Sequence, residues 1–454
     1  MTAAKVEASA NGKDKTYKFV FAGGGTAGHI VPGLAVAAAL VDTGYKKDDI
    51  LFMGSTKGME KFLIPKAGYD IRLYDTKGLV RRLSLENFFK VLEMSADNSR
   101  SFLRALKDLR RIKPDLIVML GGYAGLIPAL AGLVLGAKVA VVNVDSVPGL
   151  SNRIVGRFAA VNTLPQAVPG VKRAVVTGTP IRTDAASRKN FLLQNDNGIR
   201  SSAIKVFFGT ASTPGSDQGP DGTPGTRDPL FFTVMSGSLG AYSINKVLPR
   251  LVGAMAEKSI FGSRPLFVYH VTGERDFDLT VADCGKTFTA ETGEKNGSGA
   301  KKAYKTELRK EGERKTVFSL LSADGSRLLA EYCLAAYEDR IPELMEASDL
   351  FLGRAGASTV AEIAAIGVPS VLVPLPKAPR DHQRENIDEM AKKGALIGID
   401  DADLTWDNLF GLIPSLLGDG ERRREMALRL YEFGEREAAA TVAGLLSRLA
   451  GEGA

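Results

Sequence analysis

The first residues able to do chemistry lie in a glycine-rich stretch, FAGGGTAGHI, at positions 21–30. The stretch follows an apolar run and opens a helical pattern with Pro32 in its first turn, a favoured proline position. Amides at such a helix start attract an anion or an electron-rich oxygen. His29 directly follows the glycines, where an imidazole can accept a proton from an attacking hydroxyl group near neutral pH. We therefore predict that His29 is a general base; a structural histidine bonded to the loop is the alternative.

The same glycines also fit a dinucleotide-binding pattern. Gly23, Gly25 and Gly28 satisfy GxGxxG, which is a weak signal when it stands alone. A dinucleotide site also needs an acidic residue after the second strand to hold the ribose. The next strand-like run ends in GSTK at 54–57, which contains no acid. The sequence therefore disfavours NAD.

The second half of the chain contains a further strand–turn–helix pattern. GRAGASTVAEIAAIGVPSVLVP at 353–374 reads as strand, glycine loop, helix and strand. We expect the helix start to bind a diphosphate through its amides and hydroxyl groups. Glu362 follows in that helix, and its carboxylate can hold a ribose diol; the alternative is a glutamate that only favours the helix dipole. The residues predicted at the helix start are Ala357, Ser358 and Thr359.

Other polar residues are predicted at the same kind of strand end. SGSLGA at 236–241 is a second glycine turn, and two such turns indicate a sugar nucleotide held between two domains. Asn143 offers a donor and an acceptor to a sugar hydroxyl group, although asparagine is also common in turns. Arg182, in GTPIR, can counter phosphate charge. Gln383, in DHQREN at 381–386, is predicted on the same edge of its domain.

Alternating elements must position these residues. Short apolar runs alternate with helical stretches in both halves of the chain, which is typical of parallel sheets covered by helices. We predict an α/β protein with two facing Rossmann-like domains that bind their ligand at the carboxyl ends of the strands. The predicted parts are an N-terminal tail at 1–17, a first domain at 18–184, a linker at 185–200, a second domain at 201–420 with inserts near 209–229 and 284–330, and a C-terminal helical segment at 421–454.

Composition excludes several classes of protein. The net charge of +7 suits an anionic substrate or lipid surface. The sequence contains no run in which aromatic and basic residues alternate, as they do in RNA-binding proteins. No secretory signal or membrane span is expected. Cys284 and Cys333 have neither metal nor disulfide spacing, so a reducing compartment and structural thiols are expected. The absence of an Asp-x-Asp motif near the sheet ends predicts that no metal site is required.

Taken together, these motifs resemble the MurG family of UDP-N-acetylglucosamine transferases, which has the GT-B fold of two facing Rossmann-like domains. The resemblance covers most of 18–182, 230–275 and 336–400, and leaves both predicted inserts unmatched. The segments that carry it, in the family's order, are GGGTAGHIVPGLAVA, GGYAG, PGLSNRIVGRFA, GTPIR, SGSLGA, GRAGASTVAEIAAIGVPSVLVP and DHQREN.

The resemblance implies a role for each matched residue. His29 is the candidate base, Asn143 matches the family asparagine before the PGLSN helix, and Glu362 is the ribose carboxylate. Gln383 lies near the sugar, and Glu338 falls where the family backbone meets uracil. The remaining matched residues contact the sugar nucleotide or its diphosphate: Thr26, Ala27, Gly28, Arg182, Ser238, Ala357, Ser358 and Thr359.

The resemblance also implies the reaction. It is the inverting transfer of N-acetylglucosamine from UDP-N-acetylglucosamine to undecaprenyl-linked muramyl-pentapeptide (lipid I), which forms lipid II at the cytoplasmic face of the membrane in peptidoglycan synthesis. No cofactor is required, and magnesium assists, if at all, without a protein-bound site. Implied partners are the two substrates, an anionic membrane surface and cell-wall synthesis proteins, but no nucleic acid.

This sequence departs from the family pattern at two places. Val141 and Val142 replace an acidic residue and a glutamine before Asn143. The second glycine turn reads Ser236-Gly237-Ser238-Leu239, where the family commonly has two glycines and a glutamine after the serine. The first departure affects the acceptor-side network and the second a sugar contact.

A membrane-docking segment is predicted at Leu79 to Lys90, where Phe88 and Phe89 accompany basic residues. An ordinary loop and helix with a core-facing apolar side is the alternative. Three other functions stay open. They are a UDP-sugar transferase acting on another lipid such as diacylglycerol, a UDP-N-acetylglucosamine epimerase, and a nucleotide-binding module without catalysis.

Overall fold

The structure is a computed structural model that describes 16–76, 88–209, 228–237, 240–289, 304–376 and 382–451. The side chains of 77–97 and 289–303 are not described. The chain forms two compact units. The first unit consists of Met1–Thr183 and Glu437–Ala454, and the second unit of Asp184–Arg436.

The first unit is built on a seven-stranded parallel sheet in the order β3-β2-β1-β4-β5-β6-β7. The central strands are buried along their whole length, which is why they read as continuous apolar runs. From β1 the chain adds strands first on one side of the sheet (β2, β3) and then, from β4 onward, on the other side. Ligands bind at such a switch point in open α/β sheets. The strands are β1 Phe19–Gly23, β2 Ile50–Ser55, β3 Asp70–Tyr74, β4 Leu116–Gly121, β5 Val139–Val142, β6 Val161–Leu164 and β7 Ala174–Val176.

Helices cover both faces of this sheet. The last helix of the chain, α18 (Ala438–Gly451), packs in the core of the first unit with α1, and it places Val442 and Leu446 there with no exposed surface. Tyr45 and Ser447 are joined by a hydrogen bond of 3.0 Å between their hydroxyl groups. The other helices are α1 Ala27–Asp42, α2 Glu60–Lys66, α3 Phe88–Ile112, α4 Gly122–Val134 and α5 Leu150–Gly156.

The second unit contains an eight-stranded sheet in the order β10-β11-β12-β9-β8-β13-β14-β15. The six strands from β12 to β15 are parallel and repeat the switch-point order of the first sheet, with the reversal between β8 and β13. β10 and β11 are antiparallel to their neighbours. The strands are β8 Leu230–Met235, β9 Leu266–Val271, β10 Tyr304–Lys310, β11 Lys315–Ser322, β12 Leu328–Ala335, β13 Leu350–Arg354, β14 Ser370–Val373 and β15 Ile397–Gly398.

The helices of the second unit cover its sheet and complete its core. The list is α6 Thr183–Ala186, α7 Phe191–Gln194, α8 Asn197–Phe208, α9 Tyr242–Asn245, α10 Leu248–Glu257, α11 Phe277–Thr289, α12 Ile341–Ala347, α13 Ala357–Ile366, α14 His382–Glu385, α15 Asp388–Lys392, α16 Trp406–Gly418 and α17 Gly420–Glu432. Within the described stretches, no helix is long and apolar enough to cross a membrane.

The prediction of an α/β protein with parallel sheets is confirmed, with the antiparallel β10–β11 hairpin as an addition. The predicted linker at 185–200 is wrong, because helices occupy this stretch and Phe191 and Arg200 are buried in the second unit. The arginine pairs with the fully buried Asp349 at 3.1 Å. Asn190, also buried, donates to the backbone carbonyls of Met345, Glu346 and Ser348. Polar residues that serve buried partners are why the segment looked like a linker.

The described part of the predicted insert near 284–330 belongs to the second sheet and to its core. β11 buries Val317, Phe318 and Leu320, and α11 buries Phe288 in the same core. Apolar and polar residues alternate along the β10–β11 hairpin at the edge of the sheet, which lowers the apolar content of this segment. Most of the other predicted insert, 210–227, lies outside the described residues.

Candidate functional site

The first glycine turn joins β1 to α1 at the switch point of the first sheet. Gly24 and Gly25 have φ angles of 152° and 93°, which residues with side chains rarely adopt. Thr26 is the N-cap residue and makes no side-chain capping bond. The helix begins at Ala27, and the next residue, Gly28, is exposed. The three residues predicted to contact the sugar nucleotide therefore form the start of a 16-residue helix.

His29 lies in the first turn of α1 beside the end of β4. A Cβ atom on Gly121 would lie 3.3 Å from Nδ1 of His29, and one on Gly122 would lie 3.7 Å from its Cδ2. These glycines have φ angles of 116° and 70°. The GGYAG motif thus serves a local purpose. Both glycines permit the turn, Gly121 also leaves room for the imidazole ring, and a Cβ atom on Gly122 would lie 2.9 Å from the Gly24 carbonyl oxygen.

Two cavities meet at His29. The first cavity has a volume of about 560 Å³ and is lined by the glycine turn, by Lys57 and Gly58 after β2, and by Tyr123. The second cavity has a volume of about 160 Å³ and is lined by Asn143, Asp145 and Asn152. Tyr123 lines both. A histidine at the wall of two polar cavities is well placed for proton transfer to or from a bound hydroxyl group.

Asn143 is held by hydrogen bonds inside the first unit. Its side-chain nitrogen donates to the carbonyl oxygen of Thr163 (3.0 Å), and its side-chain oxygen accepts from the side-chain nitrogen of Asn152 (3.0 Å). The residue is only 2% exposed. An asparagine side chain has one further donor hydrogen and one further lone pair. The side chain thus ties the end of β5 to β6 and α5, and its predicted contact with a sugar hydroxyl group stays a prediction.

The two valines that depart from the family pattern are structural. Val141 and Val142 belong to β5 and are fully buried, so neither side chain reaches a cavity. Asp145 lies three residues beyond and lines the second cavity. This carboxylate was missed in the sequence because it follows Asn143 instead of preceding it.

From the sequence alone, the backbone amides of the first glycine turn were expected to be available to an anion. The structure shows that one of them is already occupied. The amide of Gly25 donates to Oε2 of Glu60 (2.8 Å), and the amide of Ser55 donates to Oε1 of the same residue (2.7 Å). Glu60 is 1% exposed. No motif marked this residue; its only local signal was an acidic side chain close to Gly54 and Gly58.

In the second unit, the second glycine turn follows β8. Gly237 and Gly240 have φ angles of 78° and 86°. A Cβ atom on Gly240 would lie 2.5 Å from a carboxylate oxygen of Asp276. Ser238, predicted to contact the diphosphate, lies outside the described residues.

A buried polar network supports this turn. His270 is fully buried; its Nε2 lies 2.9 Å from Oδ1 of Asn245, and its Nδ1 lies 2.7 Å from the hydroxyl oxygen of Tyr332. Ser236, the first residue of the turn, also bonds to Asn245. Burial lowers the pKa of His270 to about 3. The imidazole is therefore neutral and acts as a fixed donor and acceptor.

The predicted diphosphate site is the start of α13, next to the switch point of the second sheet. Gly356 is the N-cap residue and makes no side-chain capping bond. Ala357, Ser358 and Thr359 are half-buried in the first turn. The first amides of a helix have no partner within the helix, and together with the helix dipole they favour an anion.

Three further predicted residues lie near the same edge of the second sheet. Glu362 is in the second turn of α13 and is 4% exposed, so it is not an ordinary first-turn glutamate. Gln383 accepts a hydrogen bond from the Leu375 amide (2.9 Å). Glu338 accepts from the Tyr269 hydroxyl (2.7 Å) and from two backbone amides. Burial raises the pKa of Glu338, but these bonds and Arg340 lower it more.

The structure thus groups the predicted residues in two sets. Thr26, His29 and Asn143 surround the cavities of the first unit, and the α13 residues with Gln383 belong to the second. Arg182 is half-buried near the end of the first unit and lines neither cavity. Among the described residues, no three His, Cys, Asp or Glu side chains form a group that could hold a metal ion.

Comparison with known proteins relates both units to one enzyme family. The N-terminal domain of glycosyltransferase family 28 matches residues 19–162, and the C-terminal domain of that family matches residues 305–442. The two matches lie in the two different units.

Curated relatives match almost the whole chain. A protein of Desulfitobacterium hafniense (strain Y51) is 29% identical over 427 residues, covering 93% of this chain and 96% of its own length. One of Desulforudis audaxviator is 28% identical over 444 residues, covering 96% and 99%. Both are named UDP-N-acetylglucosamine–N-acetylmuramyl-(pentapeptide) pyrophosphoryl-undecaprenol N-acetylglucosamine transferase.

Solved structures agree on the fold. The crystal structure of Acinetobacter baumannii MurG has a TM-score of 0.59 and 23% identity, covering 95% of this chain and 99% of that one. The glycosyltransferase VinC has a TM-score of 0.52 at 12% identity. The predicted GT-B architecture is therefore confirmed.

Proposed function

Because the chain belongs to glycosyltransferase family 28, we propose that it transfers N-acetylglucosamine from its UDP carrier to the lipid-linked muramyl-pentapeptide, which yields lipid II. The observation that supports this most directly is the end-to-end match to relatives named for that activity. The position of His29, at a helix start and at the wall of two cavities, supports a catalytic site in the first unit.

The proposed chemistry is a single inverting displacement. The acceptor 4-hydroxyl group attacks the anomeric carbon, the bond from that carbon to the UDP oxygen breaks, and a β-linkage forms through an oxocarbenium-like transition state. His29 takes the proton of the attacking hydroxyl group. Thr26, Ala27 and Gly28, together with Asn143, are proposed to orient the sugars.

The donor is proposed to bind to the second unit. The amides and hydroxyl groups of Ala357, Ser358 and Thr359 stabilise the departing diphosphate, because negative charge develops on it in the transition state. Glu362 holds the ribose diol and Gln383 contacts the sugar. For Ser238 and Arg182, a contact with the diphosphate is proposed from the family resemblance alone. The chemistry described here uses no metal-bound group.

We also propose that the protein docks on an anionic membrane surface at the cytoplasmic face, where its acceptor is held. The net charge of +7 supports this. The predicted docking segment at Leu79 to Lys90 lies outside the residues whose side chains are described. Liposome flotation of wild type against Phe88→Ser/Phe89→Ser tests the segment. Unchanged binding by a folded variant would exclude it.

The function is tested by incubating the wild type and His29→Ala with labelled UDP-N-acetylglucosamine and a short-chain lipid-linked muramyl-pentapeptide. We expect transfer by the wild type and a fall in kcat of about 10²- to 10⁴-fold in the variant, with the affinity for UDP unchanged. Normal transfer by His29→Ala would exclude the base assignment only.

The controls of this experiment separate the other functions. Turnover of the UDP-sugar without acceptor would indicate an epimerase. Transfer to diacylglycerol alone would indicate another lipid acceptor, and UDP binding without transfer to either acceptor would indicate a binding module.

A further inference from the structure

Glu60 is the most completely enclosed carboxylate beside the first cavity. It is 1% exposed, and it belongs to α2, which carries none of the proposed catalytic residues. Its two oxygen atoms accept from two backbone amides, those of Gly25 and Ser55 at 2.8 and 2.7 Å. One side chain therefore joins the turn after β1 to the end of β2.

Three glycines make room for this carboxylate. A Cβ atom on Gly24 would lie 2.4 Å from Oε1 of Glu60, one on Gly58 would lie 1.9 Å from its Oε2, and one on Gly54 would lie 2.6 Å from its Cγ. Contacts this short are not tolerated by folded proteins. Two of these glycines, Gly24 and Gly58, also line the first cavity together with Gly25 and His29. The wall of the cavity is thus shaped around Glu60.

The same contact changes what the glycine turn can bind. A free amide at Gly25 would be a donor for a phosphate oxygen. Here the amide is occupied, and the carboxylate that occupies it would repel an anion on the other side of the turn. An uncharged sugar hydroxyl group carries no such penalty.

We propose that Glu60 is a positioning residue of the acceptor site, which fixes the turn at Gly24 and Gly25 so that the uncharged sugar of the acceptor, not its diphosphate, lies beside His29. This rests on the proposed function. A loosened turn would misplace the attacking hydroxyl group relative to His29, and small misplacements of this kind slow enzymes strongly.

The test compares Glu60→Gln with the wild type in the transfer assay, varying each substrate in turn. The glutamine oxygen can accept one amide, but its NH₂ group faces the other donor, so one of the two bonds is lost. We expect the KM for the acceptor to rise about tenfold or more, with the KM for UDP-N-acetylglucosamine within twofold of wild type. Circular dichroism and thermal unfolding show whether the variant is folded.

A matched control is Asp49→Asn. Asp49 also accepts a backbone amide, that of Lys46 (2.8 Å), but this bond is exposed and the half-buried residue lines neither cavity, so both KM values should stay at wild-type level. Gly54→Ala displaces Glu60 while keeping its charge, and it should also raise the KM for the acceptor alone. If Glu60→Gln does not fold, Gly54→Ala decides the question.

Two results would overturn the proposal. One is a folded Glu60→Gln with an unchanged KM for the acceptor; the other is an equal change in both KM values, which a merely structural role predicts. Absence of transfer by the wild type would instead contradict the proposed function.

Discussion

The side-chain amide (Nδ2) of Asn152 donates a hydrogen bond of 3.0 Å to the side-chain oxygen of Asn143, and this bond joins the first turn of α5 to the residue that follows β5. Both residues line the second cavity with His29. The bond fixes one wall of the proposed acceptor site.

Asn143→Ala should therefore lower stability as well as activity. The substitution removes the acceptor of the buried Asn152 side-chain amide and one of the two hydrogen bonds to the Thr163 carbonyl, which keeps its bond from the backbone amide of residue 143. An unsatisfied buried group costs about 1–3 kcal/mol. Chemical denaturation measures the loss. The control is Asn408→Ala, which removes an exposed bond to the Asp403 carbonyl and should cost less than about 0.5 kcal/mol. Equal losses would contradict the buried role.

Glu362→Gln should weaken the binding of UDP to the protein. If the carboxylate holds the ribose diol, the change replaces charge-assisted hydrogen bonds by neutral ones, and the expected cost of about 1.5–3 kcal/mol corresponds to roughly ten- to hundredfold in Kd. Titration calorimetry with UDP measures this. Glu432→Gln, on the exposed face of α17, is the control. An unchanged Kd would remove Glu362 from the site.

His270 should make stability depend on pH. Burial lowers its pKa to about 3 in the folded protein, whereas the unfolded value is about 6.5. Between these values the unfolded state binds the extra proton, so stability falls as the pH drops below about 6.5. From pH 6.5 to 5 the loss attributable to this residue should be about 1.5 kcal/mol.

The measurement is urea unfolding of the wild type and His270→Gln at pH 7.5, 6.5 and 5. The wild type should lose more stability than the variant over this range, and the difference isolates His270 from the carboxylates. Parallel slopes for the wild type and His270→Gln would show that burial of His270 is not maintained.

Leu446→Ala should destabilise the first unit although the residue follows the second unit in the chain. Leu446 is fully buried in the core that contains α1, and removing a buried leucine side chain costs about 2–5 kcal/mol. Thermal and chemical unfolding report the change. Leu428→Ala on α17, where the side chain is 51% exposed, is the matched control. Similar small effects of both substitutions would place α18 outside the core.

Short-range patterns in the sequence were sufficient for most elements, though not for those in 185–200 and 284–330, and for part of the site. The glycines after β1 and β8, His29 at the head of α1 and the start of α13 are each set by residues within a few positions of one another. Glycine conformation and helix-start geometry are local properties. The roles assigned to these residues stay predictions, and those of Ser238 and of the segment at Leu79 to Lys90 concern side chains outside the described part of the chain.

Only the tertiary structure decided which distant groups meet. Glu60 reaches Gly25 across 35 positions, His270 reaches Tyr332 across 62, and Tyr45 meets Ser447 across 402. None of these contacts has a spacing that a sequence pattern could reveal, because each depends on strand order and on which buried polar group needs a partner. The sequence by itself determined the glycine turns and predicted their chemistry. Packing determined which amides remain available to a substrate.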